Sequence, residues 1–300
     1  MSDNSSNPGP SSPDVDPTAI KEIAEGVFVI CDRRIPLVPN IGIILGRETA
    51  LVIDTGMGPA NGKKVLEAAK ELAGNRALVL TLTHFHPEHG FGAQAFKGAA
   101  KIHYNRAQRD ELRAKGAAYL DMFRTFGPAV AVALEGTSLV EPDWVYPGPL
   151  ARIDIGGREV ELRTWGLAHT AGDQIVWLPE ERILFTGDLA EERTFPIFPW
   201  FPPNDVDIDG AHWAEILSEL ISWGPAVVVP GHGDIGSVEI LTAVRDYIVD
   251  LRKRVMAERM AGRDSETIIA ELAPKIRAEH PDWFAPEWID FAIRYHASLS

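Results

Sequence analysis

The chain has 300 residues, 45% of them hydrophobic, enough to bury a large core in one big α/β domain or two modest ones. Its formal net charge of −14 disfavours a phosphate backbone as substrate, and no apolar run approaches the roughly 20 residues needed to span a bilayer. A single cysteine, Cys31, excludes an internal disulfide and fits a reducing cytoplasm, the location expected for the protein.

Residues 1–17, MSDNSSNPGPSSPDVDP, carry no apolar block and read as a disordered leader rather than a secretory signal. GVFVI, NIGIILG and TALVID are short β-branched runs broken by Gly, Asn or a charged turn, as adjacent strands are. NGKKVLEAAKELAG has helical spacing and a glycine stop. ALVLTLT is apolar throughout, so it reads as a strand buried on both faces, and AKIHYN makes another short strand. Residues 106–140 read as helix and loop. ARIDIGGREVELRTWG forms a hairpin about Gly156-Gly157, QIVWLPEERILFTGD supplies more strand, residues 210–222 a helix, and PAVVVPGHG a last buried strand. From about 237 the chain is mostly helical, and GRDSETIIAELAPKI opens on a capping signal. Two halves, each strands then helix, point to strand layers covered outside by helices. The division expected is a leader over 1–17, a catalytic domain over 18–240, and a helical extension over 241–300 packed on that same domain.

THFHPEHG, residues 83–90, concentrates the chemistry, with three histidines and a glutamate in six positions directly after a buried strand. His84 and His86 stand two apart, so on an extended segment both rings point to one side and can share a metal. His89 follows where a first helical turn could aim it at a second ion. Downstream, His169 in GLAHTAGD, Asp188 in ILFTGDLA and His232 in VVVPGHG each sit where strand gives way to a Gly-containing loop. In layered α/β folds that edge is where sites are built.

This constellation resembles the metallo-β-lactamase superfamily, whose hallmark is H-x-H-x-D-H followed by separate His, Asp and His ligands in this order. The resemblance covers roughly residues 20–240 and implies a four-layer αββα sandwich, here with a helical C-terminal extension. It implies a first metal site of His84, His86 and His169, and a second of His89 and His232, with Asp188 bridging. Asp54 in VIDTG and Asp173 in HTAGD would orient those ligands, although Asp before Thr-Gly is also ordinary turn chemistry. One position departs from the pattern, since Glu88, after Pro87, stands where the family has Asp. The expectation is that Glu88 still ligates with altered geometry, with proton transfer on the metal-bound water as one alternative. Folding away, with a weakened second site, is the other.

The implied cofactor is Zn2+, two ions per chain, with iron or manganese accepting the same ligands. The implied activity is hydrolysis of a lactone, ester or thioester in a small, partly apolar substrate. Metal-bound hydroxide is the implied nucleophile, and Asp188 and Glu88 are the implied catalytic carboxylates. Asp188 stands where the family's cysteine-bearing penicillin-degrading branches place a thiolate, which points away from that branch. A β-lactam hydrolase stays an alternative. So does a mononuclear non-haem iron dioxygenase, for which His84, His169 and Asp188 would suffice. The partner expected is a small-molecule substrate, with no nucleic acid and no membrane. The aromatic loop EERTFPIFPWFPPND, residues 191–205, reads equally as a substrate wall or as a cover over helices or a homodimer contact. Tyr119, Phe123, Phe126 and Trp144 are candidates for a second wall. His103, His212, His280 and His296 read as structural.

Overall fold

A computed structural model describes residues 12–299, and these residues divide into two compact units. The first takes in the described residues up to Tyr104 together with Arg109–Val145 and Ile155–Gly157. The second is built from Asn105–Gln108, Tyr146–Asp154 and the chain from Arg158 onward.

In the first unit the chain runs β1 (Ile20–Ala24), β2 (Val27–Ile30), β3 (Ile41–Leu45) and β4 (Thr49–Ile53), all antiparallel neighbours. Helix α1 (Gly58–Ala73) then crosses to β5 (Ala77–Thr81), which pairs parallel with β4 at Ile53↔Thr81. The short helix α2 (Pro87–Gly90) follows, then β6 (Lys101–Asn105), parallel to β5, α3 (Arg106–Phe123), α4 (Pro128–Ala133) and β7 (Trp144–Tyr146). The seven strands lie in sequence order. β3, β4 and β5 are buried along almost their whole length, which is what their unbroken apolar runs require.

Helix α1 buries Val65, Leu66, Ala69 and Ala73 on one stripe, and Gly74 ends it in the left-handed region at φ 60°. Gly62 sets its closest approach, because a Cβ there would lie 2.0 Å from the Gly92 carbonyl oxygen. A side chain would therefore push α1 away from the turn that follows the histidine cluster. Of the leader expected over 1–17, residues 1–11 lie outside the described residues. The remainder differs from the disorder expected there. Val15 is buried, its N–H donates to Asn61 Oδ1 at 2.9 Å, and Asn61 Nδ2 donates to the Pro13 carbonyl at 2.7 Å. Two hydrogen bonds and one buried valine, worth roughly 1.5 kcal/mol or more by burial alone, outweigh the Pro- and Asp-rich composition.

The second unit starts with the hairpin of β8 (Leu150–Asp154) and β9 (Glu159–Arg163), paired at Asp154↔Glu159 about the expected Gly-Gly turn. β10 (Ile175–Leu178) and β11 (Ile183–Gly187) continue antiparallel. Helix α5 (Gly210–Ser222) crosses to β12 (Val227–Pro230), which pairs parallel with β11. The order is β12-β11-β10-β9-β8. Helices α6 (Glu239–Met260), α7 (Ser265–Glu279) and α8 (Trp288–Ser298) complete the unit, and α6 packs on both α5 and α8. The capping signal before α7 is real, since Asp264 Oδ1 accepts from the Thr267 N–H at 2.8 Å.

The loop over 191–205 is only partly what its composition suggests. Phe195 and Phe198 are fully buried, packed with Trp213, Tyr247 and Trp283. Backbone bonds between Phe195 N–H and the Phe284 carbonyl, and Phe284 N–H and the Arg193 carbonyl, pin the loop to the segment before α8. For those two rings the covering role is the observed one. Trp200 and Phe201 stay half-buried, their N–H groups both donating to the Asp205 carboxylate.

Candidate metal centre

Each unit ends a parallel strand pair with ligand-type side chains. In the first, Asp54 follows β4 and the histidine cluster follows β5. Asp54 sits at φ 66°, a left-handed conformation that Asp tolerates better than most residues. Its N–H donates to the Thr81 carbonyl across the pair. Its Oδ1 accepts from the Thr83 N–H at 2.7 Å, and its Oδ2 from the Thr83 hydroxyl at 2.8 Å. Oδ2 also lies 2.9 Å from His89 Nδ1.

These contacts fix tautomers. A carboxylate only accepts, so His89 carries its proton on Nδ1 and presents Nε2 as the nitrogen with a lone pair. Thr83 has one hydroxyl proton and gives it to Asp54. At 3.1 Å from His84 Nδ1 it therefore accepts from that nitrogen, which makes Nε2 the basic atom of His84 as well. His86 caps the start of α2, with Pro87 at the first helical position, and its carbonyl accepts from the N–H groups of His89 and Gly90. Its ring stacks on Tyr119 of α3, centroids 5.1 Å apart at 22°. Thr55 holds the far end of the turn, its N–H and its hydroxyl both donating to the His89 carbonyl. The metal-binding atoms of His84 and His86 lie within 4.8 Å of each other, as do those of Glu88 and His89. Glu88 is buried within the turn and lies beside His89, not folded out to solvent.

In the second unit His169 lies in the turn between β9 and β10. Asp173 closes that turn by accepting from the Thr170 N–H at 2.7 Å and the Thr170 hydroxyl at 2.6 Å. Its Oδ1 stands 3.4 Å from His169 Nδ1, and the Trp213 ring flanks the imidazole at 5.6 Å. Asp188 follows β11 and His232 follows β12. The donor atoms of Asp188 lie within 4.8 Å of those of His169 and likewise of those of His232, and His232 Nε2 is 3.8 Å from Asp188 Oδ1.

Gly231 makes that arrangement possible. A Cβ there would fall 1.9 Å from Asp188 Oδ1, and the Gly231 N–H donates to the Gly187 carbonyl. The imidazole-and-carboxylate chemistry, the His89 Nδ1 held by the Asp54 carboxylate and the close donor pairs all fit a divalent metal.

Two contributors escape the sequence reading. Thr83 links Asp54 to two rings but is a threonine at a strand end, where that residue type is commonplace. Gly231 acts through a clearance that only the folded chain has. Of the wall candidates, Tyr119 and Phe123 are buried on α3, Phe126 is half-buried, and Trp144 is 43% exposed and packs on His103. The other histidines have structural surroundings. His212 Nδ1 meets the Leu167 carbonyl at 2.8 Å, His280 packs on Trp283 at 4.5 Å, and burial holds His296 neutral with its pKa pushed down to about 4.

Residues 34–232 match the family model of the metallo-β-lactamase superfamily. The chain belongs to that superfamily, and its coarse class is a metal-dependent hydrolase. Human acyl-coenzyme A thioesterase MBLAC2 is 26% identical over 250 residues, covering 77% of this chain and 86% of that protein. Among solved structures, a metallo-β-lactamase from Pontibacter korlensis is similar with a TM-score of 0.58 and 20% identity, over 76% of this chain and 97% of that one. The inverting sec-alkylsulfatase Pisa1 from a Pseudomonas species reaches a TM-score of 0.72 at 18% identity over 92% of this chain, which spans about half of that structure. These likenesses, with a helix-flanked sheet in each unit and helices α6–α8 at the C-terminal end, bear out the αββα class. Among the described residues no helix is long and apolar enough to cross a membrane.

If Asp54 orients these rings, Asp54→Ala lowers metal affinity by roughly 10- to 100-fold while the chain stays folded. Competition with a chromophoric chelator measures it. An unchanged affinity would return Asp54 to plain turn chemistry.

Proposed function

We propose that the chain is a zinc-dependent hydrolase that cleaves a carbonyl ester-type bond in a small, partly apolar substrate. The observation that carries this reading is the histidine turn after β5, where Asp54 and Thr83 preset the tautomers of His84 and His89. In this reading His84, His86, His169 and Asp188 hold one ion, and Glu88, His89, His232 and the same Asp188 hold a second. A bound divalent ion lowers the pKa of water from about 15.7 towards about 7 and polarises a carbonyl oxygen.

The remaining work falls to the chain's own groups. Asp54 holds the His89 imidazole at Nδ1 and Asp173 fixes the turn that carries His169, so little reorganisation is needed during reaction. Asp188 accepts the proton of the attacking water at a carboxylate oxygen and returns it to the leaving alkoxide or thiolate. Glu88 keeps the ligand role expected from sequence, its longer side chain supported by the closeness of its donor atom to His89. Within the ester-type class a thioester is favoured, because the human relative whose length the chain largely spans is named as an acyl-coenzyme A thioesterase.

The test is to assay the purified chain on a matched thioester, oxygen ester, lactone and β-lactam, before and after chelation. The expected result is cleavage of the thioester and ester, lost on chelation and restored by zinc. Activity indifferent to the chelator, or confined to the β-lactam, would overturn the proposal.

A further inference from the structure

A groove of about 620 Å³ runs between α5 and α6 in the second unit. Ala211 and Ala214 from α5, with Ile248, Val249 and Met256 from α6, give it an apolar lining, and Val249 is 51% exposed there. Its volume lies within the range of small-molecule sites. The charges along it are unusual for this helix. Arg245 pairs with Asp246, and Arg254 pairs with Asp250 and Glu279. Arg252 and Lys253 both line the groove, and among the described residues neither has an ion-pair partner. On the α5 side, Glu215 lines the same groove yet forms no ion pair with them, and the Ser218 hydroxyl is turned to its own helix at the Ala214 carbonyl, 2.8 Å away.

An apolar trough bordered by two unneutralised cations is complementary to one kind of occupant. The geometry points to a binding site for a single-tailed anionic amphiphile. Its chain lies along Ala211, Ala214, Ile248 and Met256, and its head group meets Arg252 and Lys253. The tail gains from leaving water, at about 25 cal/mol per Å² of apolar surface buried. The head group supplies the charge that the two side chains lack, and Glu215 disfavours a second negative charge on the opposite rim. This site is independent of the proposed hydrolysis, because no residue in it belongs to the ligand set of the metal centre.

The experiment titrates sodium dodecanoate, below its micelle concentration, into the full chain by calorimetry, with dodecyltrimethylammonium as the charge control. Dodecanoate is expected to bind near one per chain, and the cation at least about tenfold more weakly. Arg252→Glu combined with Lys253→Glu should weaken dodecanoate by about tenfold or more. Ala211→Trp, which fills the trough, should abolish binding. Val249→Trp, at an exposed position, is the second blocking variant should Ala211→Trp fail to fold. Equal binding of both detergents, or dodecanoate binding that survives the charge reversal and the blocking variant, overturns the proposal. So does light scattering that finds a dimer which Ala211→Trp converts to monomer, because a second copy would then occupy the groove.

Discussion

His86→Ala is expected to reduce hydrolysis to the uncatalysed background and to strip the ion that His84 and His86 are proposed to share. His86 is not at the edge of the cluster. It starts α2, its carbonyl takes two N–H groups of the turn, and its ring lies flat on Tyr119. Alanine preserves the backbone bonds and removes only the ring, so the turn should hold while the ligand is lost. The stabilisation of developing charge forfeited is of the order of several kcal/mol, which is a few powers of ten in rate. Far-ultraviolet circular dichroism on the variant separates this outcome from unfolding. Full activity in a folded His86→Ala protein would sink the mechanism.

Gly231→Ala should be nearly as damaging, although position 231 offers no chemistry. The added Cβ would sit 1.9 Å from Asp188 Oδ1, 2.8 Å from the Gly187 carbonyl carbon and 3.0 Å from the Asp188 nitrogen. Two of those three atoms are backbone, so the strain cannot be relieved by a rotamer change alone. Either Asp188 turns away or the ends of β11 and β12 separate. Displacing a catalytic carboxylate by about 1 Å can cost roughly 100-fold in kcat. Overpacking a tight site typically adds about 1–3 kcal/mol of destabilisation. Steady-state kinetics with a thermal melt would show both effects. A variant with native kcat and an unchanged melting temperature would mean that the contact is relieved elsewhere and that Asp188 is not held as described.

The contrast between these two positions explains what the sequence discloses. His84, His86, Glu88 and His89 are legible because they are local, with six positions carrying the pattern and the apolar run before them marking the strand end. His169, Asp188 and His232 are legible because each follows a strand into a Gly-containing loop. Thr83 and Gly231 are opaque for the opposite reason, as their effect is a distance to a residue far away or across a strand pair. The same limit applies to Phe195 and Phe198. An aromatic loop is apolar whether it faces substrate or core, and only the folded packing of both rings, with the backbone bonds that tie the loop to Phe284, decides in favour of the core. Strand β1 was hidden by its burial pattern, half-exposed throughout with Lys21 and Glu22 inside it, and β7 by its three-residue length. Val15 shows that one well-placed apolar residue can order a segment whose composition argues for disorder.

In the proposed reading Glu88 stands where the family pattern is expected to have Asp, and it decides whether the metal centre is dinuclear. The most direct measurement is metal identity and stoichiometry by elemental analysis, on the native protein and on Glu88→Asp prepared side by side. Two zinc ions per chain in both proteins is the predicted result, with Glu88 a working ligand beside His89. A single iron in the native protein, or no bound metal at all, would contradict the zinc hydrolase reading. One zinc rising to two in Glu88→Asp would contradict the second site as assigned.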